Sequence, residues 1–354
     1  MNQRLRVAVV GGGVGKLHVS AFQELPEQFE VVAVCDIDTA KAHTFAADYS
    51  VPRAATDVAE LCRMRDLDVI DICTPPYLHF EQIQQVLAAG KHAICEKPLV
   101  GSLKEVDELM RVEAESGKRV MPIFQYRFGQ GLQKLKFLVN QGLAGRVYVA
   151  TVETAWRRRA DYYAVPWRGK WKTELGGTLL SHTSHTLDML YYILGPVKSV
   201  FARTATRVNP IEVEDCASVS LEMADGSLAS LIATLGSVPE ISRHRFCFSG
   251  FTAESNTQPY DNSKDPWIFT PDSPALSQPI EQALSQFVPL PERFTGQFYR
   301  FYQALLDDTE LPVTLRDARA SLELVTAMYH SAFTRQVVDL PIGPDHRRYA
   351  GWLP

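Results

Sequence analysis

The stretch that most constrains this chain is His92 to Pro98 (HAICEKP), an apolar run that stops at an acid, a base and a proline. Ala93, Ile94 and Cys95 follow a Gly-Lys turn and read as a fully buried parallel strand. The pattern recurs at 6–10, 29–35, 68–73 and 119–124, with helical stretches at 18–25, 80–89 and 103–115 between the runs. A β-α-β-α alternation with short loops specifies a doubly wound parallel sheet. Ligands of open α/β sheets bind outside the carboxyl ends of the strands, so Glu96 and Lys97 are placed to meet one. Pro98 stiffens the backbone that follows.

Two other strand ends fill the same rim. Residues 6–10 lead into Gly11, Gly12, Gly13, Val14 and Gly15 and then a helix, the context in which glycines let a backbone approach a pyrophosphate. The match to G-x-G-x-x-G is imperfect, because its sixth position is Lys16 and Gly15 comes one residue early. The run 29–35 ends at Asp36, about 20 positions after the glycines, where an acid accepts hydrogen bonds from ribose hydroxyls and repels a 2′-phosphate. That favours NAD over NADP. The run 68–73 ends in Thr74, Pro75 and, a few residues on, His79, which complete a cofactor crevice with Gly90 as a helix C-cap.

With 354 residues the chain has room for two cores, expected as a nucleotide-binding domain over 1–124 and a substrate and oligomerisation domain over 125–354. The net charge of −5, without a long basic block, argues against nucleic acid or an anionic membrane as the main partner. The six cysteines are dispersed with no CxxC pair and read as buried free thiols. The start turns into a strand too early for a secretory segment and no run approaches membrane-spanning length, so a cytoplasmic protein is expected.

The glycine loop with His18, Asp36, the segment 74–79 and the run from Gly90 to Glu96-Lys97-Pro98 resemble the glucose–fructose oxidoreductase / inositol dehydrogenase (Gfo/Idh/MocA) family. Gly176-Gly177-Thr178-Leu179-Leu180 leading to His185 and Asp188 extends the likeness over nearly the whole chain. The resemblance implies a Rossmann domain followed by an α+β domain with a large, open, mostly antiparallel sheet, and pyridine-nucleotide redox chemistry on sugars or cyclitols. It also implies that Lys97 touches both substrate and cofactor and that His185 is an active-site residue. An aspartate usually occupies the place of Ser181, so this chain departs from the pattern there.

Beyond 124 the character changes. Tyr126 and Arg127 open the second domain, and an aromatic and basic patch runs from Trp156 through Trp167, Arg168 and Trp171. Such side chains stack on sugar C–H faces and donate to hydroxyls; they also suit a loop covering buried rings. From Leu179 to Leu194 a single helix is expected, with Ser181, His185, Asp188 and Tyr192 on one face and His182 bordering it. The spacing His182, His185, Asp188 could ligate a metal, but no further ligand motif joins it, and no metal is expected. Residues 197–208, 217–223 and 228–235 alternate as antiparallel strands with an Asp225-Gly226 turn, and their open face suits a homodimer or homotetramer interface. The segment 254–291 reads as a long loop, and 296–306 and 315–335 as amphipathic helices.

The expected chemistry is hydride transfer between a nicotinamide cofactor and a secondary alcohol or ketone of a sugar, sugar derivative or cyclitol. Lys97 would stabilise the developing alkoxide, and His185, assisted by His182, would take the proton. Tyr126, Arg127, Trp167, Arg168 and Ser181 would orient the substrate. Two other readings share these residues: an NAD-assisted glycoside hydrolase and a non-catalytic NAD(H)-binding regulator.

Overall fold

The computed structural model describes residues 4–354. Its contacts divide the chain into two compact units, one through Phe124 with Phe294–Arg319, the other Gln125–Arg293 with Ala320–Pro354.

The first unit is built on six parallel strands: β1 Leu5–Val10, β2 Phe29–Cys35, β3 Ala54–Ala55, β4 Val69–Ile72, β5 His92–Cys95 and β6 Val120–Pro122. Their order is β3-β2-β1-β4-β5-β6. This is the doubly wound arrangement whose strand order reverses between β1 and β4. Val7, Val9, Ile70, Ile72 and Ile94 are fully buried, as β-branched residues on a sheet covered on both faces should be. Each contributes roughly 1.5–3 kcal/mol of burial. Gly11 N–H donates to Cys35 O (2.8 Å) and Glu96 N–H to Ile72 O (2.9 Å), so the ladder continues into the loops that carry the polar residues.

The helix Arg293–Leu306, assigned to the second domain by the sequence, lies from Phe294 onward with the first unit instead. The reason is local packing. Phe298 stacks on Phe22 at 4.0 Å, and the Gln297 side chain bonds Pro122 O (2.7 Å) and Phe124 N–H (3.2 Å). Gln297 thereby satisfies the backbone just past β6, which no further strand would pair.

The second unit carries an eight-stranded sheet in the order β13-β12-β11-β7-β10-β9-β8-β14. Its strands are β7 Val147–Arg157, β8 Val197–Ala205, β9 Cys216–Met223, β10 Leu228–Thr234, β11 Gly236–Phe248, β12 Phe251–Glu254, β13 Ile268–Pro271 and β14 Val338–Asp339. Only the β7–β10 pair is parallel. Burial alternates along β9 and β10, one side facing helices and the other exposed.

Two sequence expectations need correction here. The segment 254–291 is not one loop: it holds β13 and the helix Pro274–Ser285. Pro274 sits in the first turn, where its missing N–H is harmless, while Pro279 lies inside the helix and hides it from a reading that treats proline as a breaker. The expected helix over 179–194 is broken. Thr178–His182 winds as a π-turn and an α-helix starts afresh at Ser184–Leu194. Among the described residues, no helix is long and apolar enough to cross a membrane.

Candidate functional site

In the first unit the rim is shaped by backbone demands. Gly11 has φ +101°, and a Cβ there would lie 2.6 Å from Cys73 O, so only glycine fits. Gly15 starts the helix Gly15–Gln23, and a Cβ on it would sit 3.0 Å from Val9 and 3.4 Å from Cys73. Gly15 thus performs the close helix–strand packing of the motif's third glycine despite arriving one residue early. Gly13 and Val14 are exposed, open space surrounds Gly13, and no side chain caps the helix. A pyrophosphate fits this cradle, with helix N–H groups and positive potential facing it. Asp36 is held at its edge: Oδ2 accepts from Gly12 N–H (3.2 Å) and Oδ1 from Asp38 N–H (3.1 Å).

Thr74 and Pro75 follow β4, and Thr74 Oγ1 donates to Gln82 Oε1 (2.6 Å). His79 is fully buried, its ring nitrogens 2.8 Å from Thr74 O and 2.9 Å from Pro98 O. It is therefore a strut between two strand ends rather than a group reaching into the crevice. Glu96 is likewise buried: Oε1 lies 3.1 Å from His18 Nε2, and Oε2 accepts from Lys97 N–H (2.9 Å). Burial pushes the Glu96 carboxyl up, but the bond and charge of His18, together with the charge and N–H of Lys97, outweigh it and hold the carboxyl below its usual range. Lys97 itself is half-buried just past β5.

In the second unit the histidines are set among rings. His185 stacks on Tyr126 (centroids 4.3 Å apart, planes at 6°), and Arg293 covers Tyr126 at 4.6 Å. Burial pushes the Tyr126 phenol up to about 12, so it stays a neutral hydroxyl at physiological pH. His182 meets Trp156 and Tyr162, each with centroids 5.6 Å away. Arg158 lies over Trp156 and Tyr162, and Arg168 over Tyr162 and Trp167. Arg127 is buried and bonded to Asp188, Nε to Oδ2 at 3.1 Å, with Tyr192 4.8 Å below it. The Asp188 carboxylate of the conceivable metal triplet is thus engaged by a guanidinium, and Arg127 braces the helix Ser184–Leu194. His244 donates to Thr186 O (3.0 Å) and braces it from β11.

Glu214, which the sequence reading passed over, explains the π-turn. Its carboxylate accepts from Gly177 N–H (3.2 Å), Leu179 N–H (2.9 Å) and Tyr329 O–H (3.0 Å), and its carbonyl from Thr178 N–H (2.9 Å). A Cβ on Gly177 would fall 1.8 Å from Glu214 O, hence the glycine. Burial lifts the Glu214 carboxyl to about 7. Ser181 therefore sits on the clamped turn, with N–H to Gly177 O (2.8 Å), and not one α-turn before His185 on a shared helix. No signal marks Glu214 in the sequence. A signal did mark Asp71, an acid inside the apolar run of β4, which a buried strand tolerates only with a partner. That partner is His18, Nδ1 to Oδ2 at 2.8 Å.

A model described as an oxidoreductase family with an NAD-binding Rossmann fold, GFO_IDH_MocA, matches residues 5–124, and one for the GFO/IDH/MocA C-terminal domain matches 132–252. An uncharacterised oxidoreductase of Synechocystis sp. is 30% identical over 240 residues, spanning 62% of this chain and 63% of that protein. The D-glucoside 3-dehydrogenase of Escherichia coli is 27% identical over 95% of this chain and 97% of its own length. The WlbA dehydrogenase of Bordetella pertussis, solved with NADH and UDP-GlcNAcA, superposes with a TM-score of 0.84 at 27% identity, covering 96% of this chain and 100% of that one.

Proposed function

This chain belongs to the Gfo/Idh/MocA oxidoreductase family and is an NAD-dependent dehydrogenase, and we propose that its substrate is a secondary alcohol or ketone of a sugar, sugar derivative or cyclitol. The observation that carries the substrate class is the setting of His182 and His185 among Tyr126, Trp156 and Tyr162, with Arg158 and Arg168 stacked alongside. Aromatic faces take up sugar C–H surfaces while guanidinium forks and imidazoles address the hydroxyls. The names of the similar dehydrogenases favour the same class.

NAD, when bound, accepts or delivers the hydride. Gly11, Gly13, Val14 and Gly15 hold its pyrophosphate, and Asp36 holds the ribose hydroxyls and disfavours a 2′-phosphate. Thr74 and Pro75 shape the crevice, while His79 and Glu96 hold the strand ends from behind. Lys97 stabilises charge on the substrate oxygen as its proton leaves. His185 accepts that proton, with His182 as secondary partner. Tyr126, Trp167 and Arg168 orient the substrate; Arg127 and Ser181 act from the frame beneath. The exposed sheet face, which bears Tyr148, Leu228 and Ile232, is the proposed interface of a homodimer or homotetramer.

The test is a panel of sugars, sugar derivatives and cyclitols with NAD, and of their oxidised forms with NADH, followed by NADH absorbance. Turnover with at least one of these classes, and with NAD in preference to NADP, is expected. Silence across the panel in both directions would overturn the substrate class.

A further inference from the structure

His18 has no role in the reading above, yet it is fully buried with both ring nitrogens on carboxylates. Nδ1 lies 2.8 Å from Asp71 Oδ2, and Nε2 lies 3.1 Å from Glu96 Oε1. Ionised carboxylates only accept, so both ring nitrogens carry protons and the ring is an imidazolium. Cys73 Sγ is 3.4 Å from Nδ1, and the rings of Phe294 and Phe298 close the other sides at 4.3 and 5.4 Å. Beyond Glu96 the next charged group is Lys97, whose N–H donates to the second oxygen of the same carboxylate.

We propose that His18 is a positioning residue for Lys97: it locks the Glu96 carboxylate, and the locked carboxylate fixes the backbone from which the Lys97 side chain departs. The proposal rests on the role given to Lys97 above. With one oxygen on the ring and the other on the Lys97 N–H, the Glu96 carboxylate cannot rotate without breaking a charge-assisted bond. Burial alone would strip the proton from His18; the negative charge of Asp71, with the hydrogen bonds of Asp71 and Cys73, reverses this and raises its pKa well above the ordinary value. Burial lifts Asp71 even against the pull of His18. A metal does not suit this cluster. His18, Asp71 and Cys73 bring ligand atoms together, but two ligands on one tetrahedral ion stand about 3.3 Å apart, and Nδ1 and Oδ2 touch at hydrogen-bond distance.

The experiment is a double-mutant cycle on the full chain with NAD and the best substrate of the panel. His18→Gln should lower kcat about 10- to 100-fold while KM and NAD affinity stay within about threefold. In the Lys97→Ala background the same change should remove less than about threefold more. A purely structural histidine would lower kcat equally in both backgrounds, and that additive result, with Lys97→Ala itself damaging, overturns the positioning role alone. Should Lys97→Ala leave kcat intact, the role of Lys97 falls and the positioning role falls with it. If His18→Gln does not fold, Glu96→Gln enters the same cycle and must show the same non-additivity. A readout apart from turnover comes from the ring-nitrogen NMR shifts of His18, expected to stay those of an imidazolium up to about pH 8. A neutral ring at neutral pH contradicts the proposal.

Discussion

The two units prepare their functional side chains by opposite means. In the first, a backbone conformation is fixed first and side chains follow: Gly11 and Gly15 permit close approach, and buried polar struts (His18, His79, Glu96) tie the ends of β4 and β5 together. In the second, the histidines are placed by rings and braces, with Tyr126 on His185, Trp156 and Tyr162 on His182, and the Arg127–Asp188 pair under the helix. Backbone-built cradles suit a constant ligand such as a dinucleotide, because main-chain N–H groups do not vary with sequence. Ring-built pockets suit a variable substrate, because each face can be exchanged without rebuilding the chain.

The sharpest way to break this comparison is at Lys97. Lys97→Ala should reduce turnover by about a thousandfold or more, near 4 kcal/mol of transition-state stabilisation, with the fold retained and NAD bound only modestly less tightly. Circular dichroism and NAD titration beside the kinetics separate these; near-normal turnover would remove Lys97 from the mechanism.

Next in size is the pH dependence set by Glu214. Its carboxyl is raised from an ordinary 4.5 to about 7 in the folded protein. The protonated form is therefore the one folding favours. The associated stability is complete below about pH 4.5 and is lost as pH rises through about 7, by at most about 3 kcal/mol. Denaturation midpoints across that window should fall for the wild type and stay flatter for Glu214→Gln, which keeps the acceptor toward Leu179 and Tyr329. Parallel slopes for the two proteins would show that Glu214 titrates elsewhere.

The ring-built unit predicts a graded series. His185→Ala should lower kcat about a hundredfold, His182→Ala about tenfold, and Ser181→Ala least, since its hydroxyl belongs to the clamped turn. A larger loss in His182→Ala would move the base three residues back along the chain, to His182. Smallest is the cofactor effect: Asp36→Ala should narrow the preference for NAD over NADP about tenfold, read from the two Kd values. Equal affinities in the wild type would defeat the assignment of Asp36.

How far the sequence disclosed this follows the same division. The strands of the first unit and the place of Gly11, Asp36 and Lys97 were legible because local patterns, apolar run then glycine or acid, dictate them. What escaped was long-range partnership. Glu96 and His79 look like rim groups in sequence, but partners 78 and 19 residues away turn them inward. The helix at 293–306 belongs with the first unit because of Phe298 and Gln297, which no periodicity reports. In the second unit the break at Thr183 depends on Glu214 and Tyr329 drawing the turn at 177–179 toward them, an effect of tertiary hydrogen bonds overriding a sound helical pattern. The helix at Pro274–Ser285 escaped through Pro279.

The central claim is net hydride transfer to NAD, and the most direct measurement is the fate of a deuterium on the oxidised carbinol carbon of the best substrate. One deuterium per turnover should appear in released, reduced NAD, with an equal amount of ketone formed. Label returned to the product, with NAD unchanged at the end, would contradict a dehydrogenase and point to the hydrolytic use of transient oxidation.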